Sequence, residues 1–276
     1  MEQWELNSLK SLLNFLGYRR YKRTKIAFPY FSGPLHSLWI WINQRTETDN
    51  FYYSLTAENK SYLASTVAAV TQANIQDVHK YLDEIQSNTE IDSKIKGVLL
   101  SESHLRDSQA GLGRRIGWYA FIRATKPRVV VETGVHHGVG ALVILEALRK
   151  NREEFGVAGK YYGTDINPEA GILIRGLSPE FGKIIFGDSL ESLRSLEEEI
   201  DIFINDSDHS SEYEALEYEV IHPKLSKSAI VLGDNSHVTP KLYEYSESSG
   251  RNFLFFAEKP KGHWYPGGGI GISYPK

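Results

Sequence analysis

The chain has 276 residues, 41% of them hydrophobic and 24% charged, with 31 Lys plus Arg against 35 Asp plus Glu for a formal charge of −4. That balance supports an ordinary globular core and lacks the basic surplus of a nucleic-acid binder. There is no cysteine, which excludes disulfides, thiolate metal sites, iron–sulfur clusters and cysteine nucleophiles, so a metal would need oxygen or imidazole ligands, Mg, Ca or Mn before zinc.

The first residues carry Glu2 and Glu5 and no apolar signal core. No apolar run approaches the ~20 residues that cross a bilayer. The expectation is a cytoplasmic protein without a membrane partner. Leu6, Leu9, Leu12, Leu13 and Leu16 recur at helical spacing, with Gly17 as a stop. Arg19, Arg20, Lys22, Arg23 and Lys25 form a basic run, read as a solvated helix end or a contact for an anionic partner. The stretch 28–50 is aromatic and broken by Pro29, Gly33 and Pro34. Its Trp39 and Trp41 fit a short strand or one buried helical turn. Together with Phe28, Tyr30 and Phe31 they are candidates for a lid, a homodimer surface or plain core. Two short helices are predicted over 57–86, one over 91–101 and one over 114–125, closed by Pro127. Residues 1–110 thus read as a mainly helical region for lid, substrate or dimer contacts, ahead of a domain at 111–276.

After Pro127 short apolar runs alternate with helical ones. Strands are predicted at 128–132, 160–165, 183–186, 201–205 and 228–233, with helices at 138–150, 168–175, 190–199 and 211–222 between them. Such alternation implies an α/β fold with a mostly parallel sheet covered on both faces. The last two strands, 252–258 and 269–274, lie too close together for a parallel crossover, so they should pair antiparallel.

The run Val129-Val130-Val131-Glu132-Thr133-Gly134-Val135-His136-His137-Gly138-Val139-Gly140 is a buried strand, a glycine turn and the start of an apolar helix. Glycines allow close backbone approach, and open amides at a helix start attract electron-rich groups. A dinucleotide fingerprint needs glycines at the first, third and sixth positions. Counting from Gly134, the third is His136, so that fingerprint fails. Two roles are open for Asp165 at the second strand end, accepting ribose hydroxyls or capping the next helix. Asp188 and Ser189 end the third strand. Asp206, Asp208 and His209 follow the fourth, and Asp234 and Asn235 the fifth. Carboxylates with an amide oxygen suit an octahedral Mg site, while helix capping by Asp206 and Asp208 is the competing reading.

The glycine turn resembles motif I of the class I S-adenosylmethionine-dependent methyltransferases. The Asp-x-Asp-His and Asp-Asn runs resemble the metal-dependent small-molecule O-methyltransferases of catechol, caffeoyl-CoA and macrolide-sugar type, and a related broad bacterial methyltransferase family. The likeness runs over about 114–274. It implies a Rossmann-like seven-stranded sheet of order 3-2-1-4-5-7-6 with the last strand antiparallel. It implies S-adenosylmethionine held by Glu132, Gly134, Gly138, Asp165, Asp188 and Ser189, with Tyr119 on the preceding helix as a further candidate. Mg2+ would be held by Asp206, Asp234 and Asn235, and Asp206 and His209 would be catalytic, His209 as the base. The expected reaction is methylation of a small-molecule hydroxyl, as in secondary metabolism. An NAD-linked oxidoreductase, a metal-independent N-methyltransferase and a non-catalytic assembly protein are the alternatives.

Overall fold

The computed structural model describes residues 17–44, 53–101, 111–208 and 210–276. It divides into two compact units. One contains α1 (Arg19–Asn43) together with Gly262–Tyr265. Here the structure departs from expectation. Gly17 leads straight into α1, which runs unbroken through Pro29 and Pro34 with none of its residues buried. Phe28, Tyr30, Phe31 and Trp39 are exposed, and Trp41 meets Trp264 with ring centroids 5.1 Å apart. The leucine helix expected before Gly17 lies outside the described residues.

In the other unit, α2 (Ala57–Thr71), α3 (Ile75–Gln86), α4 (Thr89–Ser101) and α5 (Arg115–Thr125) lead into an alternation. It runs β1 (Val129–Thr133), α6 (Val139–Phe155), β2 (Lys160–Asp165), β3 (Gly182–Phe186), α7 (Ser189–Ser195), β4 (Ile200–Asn205), α8 (Ser211–Ile221) and β5 (Leu225–Gly233). It closes with α9 (Lys241–Ser248), β6 (Asn252–Phe256) and β7 (Ile270–Tyr274). The strands form one sheet of order β3-β2-β1-β4-β5-β7-β6, with β7 antiparallel to both β5 and β6. The alternation had implied such an α/β sheet, and its Rossmann-like order is the one the family resemblance implied. Two elements differ. The helix expected over 168–175 is only a 3-10 turn at Ile172–Ile174, and α9 was not anticipated.

Side chains alternate across each strand, so each face of the sheet buries its own layer. Val129, Val131, Phe203 and Val231 pack with Leu193 of α7, Tyr218 and Ile221 of α8 and Leu242 of α9. At about 25 cal/mol per Å2 of apolar surface, each fully buried aliphatic side chain stabilises the fold by roughly 1.5–3 kcal/mol. On the helical side Arg123 of α5 is 1% exposed. It donates to Glu84 of α3 at 3.1 Å and to Asn151 of α6 at 2.6 Å. The pairing satisfies a charge that would otherwise be costly to bury and ties three helices together. Among the described residues no helix is long and apolar enough to cross a membrane.

Candidate functional site at the carboxyl ends of the strands

Strand register places the expected site residues before any side chain is considered. Thr133 pairs with Thr164 and with Asn205, and Asn205 pairs with Gly233. The residues immediately beyond continue the ladder. Gly134 N donates to Thr164 O at 2.9 Å, Asp206 N to Thr133 O at 3.1 Å, and Asp234 N to Asn205 O at 2.9 Å. Gly187 N likewise donates to Asp165 O at 2.9 Å. Gly134, Asp165, Asp188, Asp206 and Asp234 therefore line one rim, where ligands of open α/β sheets bind.

The glycine turn is shaped by its neighbours. Gly134 has φ +82°, and a Cβ there would collide with the carbonyl of Asp206, so the loops after β1 and β4 touch backbone to backbone. Gly138, at φ +88°, caps α6. Asp165 performs the local role weighed for it: its Oδ2 accepts from His136 N at 2.7 Å and its Oδ1 from Asn167 N at 2.8 Å. Each carboxylate oxygen has a second lone pair, so the ribose role is not displaced. Glu132 is 1% exposed, lies against Gly140 and accepts from Tyr161 Oη at 2.5 Å. Burial pushes its carboxyl up to about 8, against the Tyr161 hydrogen bond and the charge of Arg115.

Asp188 also caps, its Oδ1 accepting from Glu191 N at 3.1 Å while Oδ2 accepts from Tyr213 Oη at 3.1 Å. Ser189 turns instead to Glu217, a residue the sequence reading passed over. Glu217, on α8, is fully buried and accepts from Thr133 Oγ1 at 3.2 Å and Ser207 Oγ at 2.9 Å. It also accepts from Ser189 Oγ and Asn205 Nδ2. One carboxylate thus joins β1, β4, the loop after β4 and the start of α7. Burial raises it above its ordinary range, against the pull of its hydroxyl donors. The signal was legible. Glu214, Glu217, Tyr218 and Ile221 are the buried residues of α8, at the spacing of a core-facing stripe. Two acids on such a stripe need partners.

Asp206 and Asp234 meet as the register requires. Burial, then the Asp234 charge, holds the Asp206 carboxyl well above its usual range, against Arg114 and Arg115, and the two carboxyls hydrogen-bond each other. Arg114, just before α5, makes an ion pair with Asp234 and lies 3.7 Å from Glu258 Oε2. Glu258 is itself held by Tyr53 Oη at 2.9 Å, Gly268 N at 3.0 Å and Gly269 N at 2.9 Å. Burial works against the Arg114 charge, but Asp234, Asp206 and Glu258 outweigh it and keep the guanidinium protonated. Arg114 and Glu258 were not foreseen.

This arrangement does not fit Mg2+. Asp234 is already engaged by the Arg114 guanidinium. A divalent ion about 4 Å from a guanidinium meets roughly 8 kcal/mol of repulsion at an effective dielectric near 20. Among the described residues no group of three or more His, Asp or Glu could hold a metal. His209 and the Asn235 side chain lie outside the described residues. Asp208, which precedes His209 in sequence, accepts from Ser210 N at 2.7 Å, the local capping role.

Tyr119 is not brought to the rim with the others. It is fully buried, and the charged groups around it are Glu84, Arg123 and Glu146 of the helical layer. Trp118 is 1% exposed and part of the core.

Residues 131–236 match the family model described as a methyltransferase domain. The match begins within β1 and ends just past β5, so it spans every strand end described above. The matched segment, less than half of the chain, lies on the Rossmann-like sheet described above. No curated protein matches it. Solved structures similar to it include the SAH-bound methyltransferase PaMTH1 of Podospora anserina, at 17% identity and TM-score 0.45, covering 82% of this chain and 99% of that one. The O-methyltransferase TomG of Streptomyces achromogenes, solved with SAM, is 14% identical at TM-score 0.48, covering 68% and 90%. An O-methyltransferase of Bacillus cereus in complex with SAH is 12% identical at TM-score 0.43, covering 80% and 100%.

Proposed function

We propose that this protein transfers a methyl group from S-adenosylmethionine to the hydroxyl oxygen of a small molecule. The observation that carries the reading is the rim itself. The loop after β1, Asp165, Asp188, and the Asp206–Asp234 pair follow neighbouring strands in register. In this reading the cofactor's ribose lies at Asp165, its adenine beside Asp188 and Ser189, and its amino-acid end over the amides of the β1 loop. The sulfonium carbon then faces the end of β4.

The chemistry asks little beyond placement. The methyl group is already activated, so an in-line acceptor oxygen gains most from being held in position. As the C–O bond forms the C–S bond breaks, S-adenosylhomocysteine leaves as a neutral thioether, and the hydroxyl proton passes to a base. His209, beside Asp208 in the loop after β4, is the base this reading assigns, since imidazole titrates near neutral pH. Arg114, Tyr53 and Glu258 border the acceptor side. No step is routed through Mg2+, because Arg114 already meets Asp234.

Calorimetric titration tests the proposal. S-adenosylmethionine should bind with one site per chain, and NAD should give no heat. Binding of NAD in preference to S-adenosylmethionine contradicts it.

A further inference from the structure

We propose that Arg114 stands where the metal-dependent relatives suggested by the Asp-x-Asp-His and Asp-Asn runs hold their divalent ion, so that the acceptor oxygen meets a guanidinium at the ends of β4 and β5. The inference rests on the methyltransferase reading and adds the identity of the cation.

Three carboxylates surround this one side chain. Asp234 pairs with its Nε, Glu258 lies 3.7 Å from Nη1, and Asp206 lies against Asp234. The Arg114 side chain is 14% exposed, Asp234 4% and Glu258 0%. Such an enclosed guanidinium stays charged at any working pH. Its position is built from both sides. The turn before α5 brings it in, with Arg115 N donating to Leu112 O at 3.0 Å and Gly113 N to Tyr53 O at 2.9 Å. Glu258 is locked by Tyr53 and by the amides of Gly268 and Gly269. Arginine has five N–H donors, and two carboxylates do not use them all, so donors remain for an acceptor hydroxyl.

A fixed positive charge favours the alkoxide form of a nearby hydroxyl, as a metal does, without a metal's demand for ionised ligands. In the step itself the acceptor O–H gives its proton to the base, the oxygen takes the methyl carbon, and the C–S electron pair returns to sulfur. The charge of Arg114 is unchanged throughout.

The test measures Mn2+ binding by loss of the free-ion electron paramagnetic resonance signal. The wild-type protein should leave the signal unchanged. Arg114→Met, which keeps volume and loses charge, should take up Mn2+, and adding Asp234→Asn should abolish that uptake. Circular dichroism checks that Arg114→Met folds, with Arg114→Ala as the second variant. Stoichiometric Mn2+ binding by the wild type overturns the proposal, and that measurement stands whether or not the variants fold. A folded Arg114→Met and a folded Arg114→Ala that both bind no Mn2+ also overturn it. S-adenosylmethionine titrated with and without EDTA separates the two claims. Equal affinity in both supports the inference, and a fall of ten-fold or more with EDTA contradicts it. No binding in either sinks the methyltransferase reading, while the Mn2+ result still decides what cation the site holds.

Discussion

Asp165 at the end of β2 accepts the backbone N–H of His136 at 2.7 Å, so the carboxylate assigned to the ribose also fixes the loop after β1. On the proposed reading two functions converge on one side chain, and the two can be separated. Asp165→Ala removes both and should weaken S-adenosylmethionine binding by roughly 10- to 100-fold, the equivalent of about one charge-assisted hydrogen bond. Asp165→Asn keeps an acceptor for His136 N and should lose less. Calorimetry checks the order, and equal losses for the two variants would refute the dual role.

Glu217 is the largest structural commitment at the rim. Glu217→Ala leaves Thr133, Ser189, Asn205 and Ser207 without their shared acceptor. Buried donors left unsatisfied cost about 1–3 kcal/mol each before relaxation or water entry. The variant should lose about 3–5 kcal/mol in urea unfolding. Glu217→Gln retains one acceptor oxygen and should fall between it and the wild type. A loss under about 1 kcal/mol for Glu217→Ala would mean the network contributes little.

Glu132 gives stability a pH dependence of known sign. Burial raises its carboxyl from 4.5 to about 8, so between those values the folded state keeps a proton that the unfolded chain has released. Its contribution is full below the lower value and is lost as pH rises through the upper one. The slope for one such proton is about 1.4 kcal/mol per pH unit. Glu217 and Asp206 are shifted the same way, so the wild-type slope alone does not isolate Glu132. Glu132→Gln should gain on the wild type as pH rises from about 5 to about 8. A difference between the two proteins that stays constant with pH would contradict the shift.

Gly134→Ala places a Cβ into the Asp206 carbonyl at a backbone with φ +82°. The loops after β1 and β4 would have to separate. Loss of stability of about 2 kcal/mol or more, with loss of S-adenosylmethionine binding, is expected. Gly156→Ala is the control. It shares a positive φ of +69° but has nothing within 4 Å, so it should cost stability while leaving binding intact.

How far the sequence could be read depends on what each residue answers to. Strands β1 to β5, the antiparallel end and the order of acidic strand ends were legible because alternation and glycine turns are local signals. Within that local frame the local contacts of Asp165 and Asp188 compete with the cofactor roles proposed for them, and sequence spacing has no means of apportioning the two. Glu217 and Arg114 belong to a different kind of information. Glu217 meets Thr133 across 84 residues. Arg114 meets Asp234 only because the turn before α5 and the end of β5 are brought together in space. Pro29 and Pro34 misled in the opposite direction, since proline is costly in most helices yet α1 continues through both. The 3-10 turn at Ile172–Ile174 fell short of a helix because Gly171, at φ +79°, and Gly176, at φ +80°, bracket it.

The most direct test of the central claim is a crystal structure of the protein with S-adenosylhomocysteine. The account predicts the ribose hydroxyls on Asp165, the adenine beside Asp188 and Ser189, and the sulfur facing Asp206. A ligand bound away from the carboxyl ends of β1, β2 and β4 would contradict it.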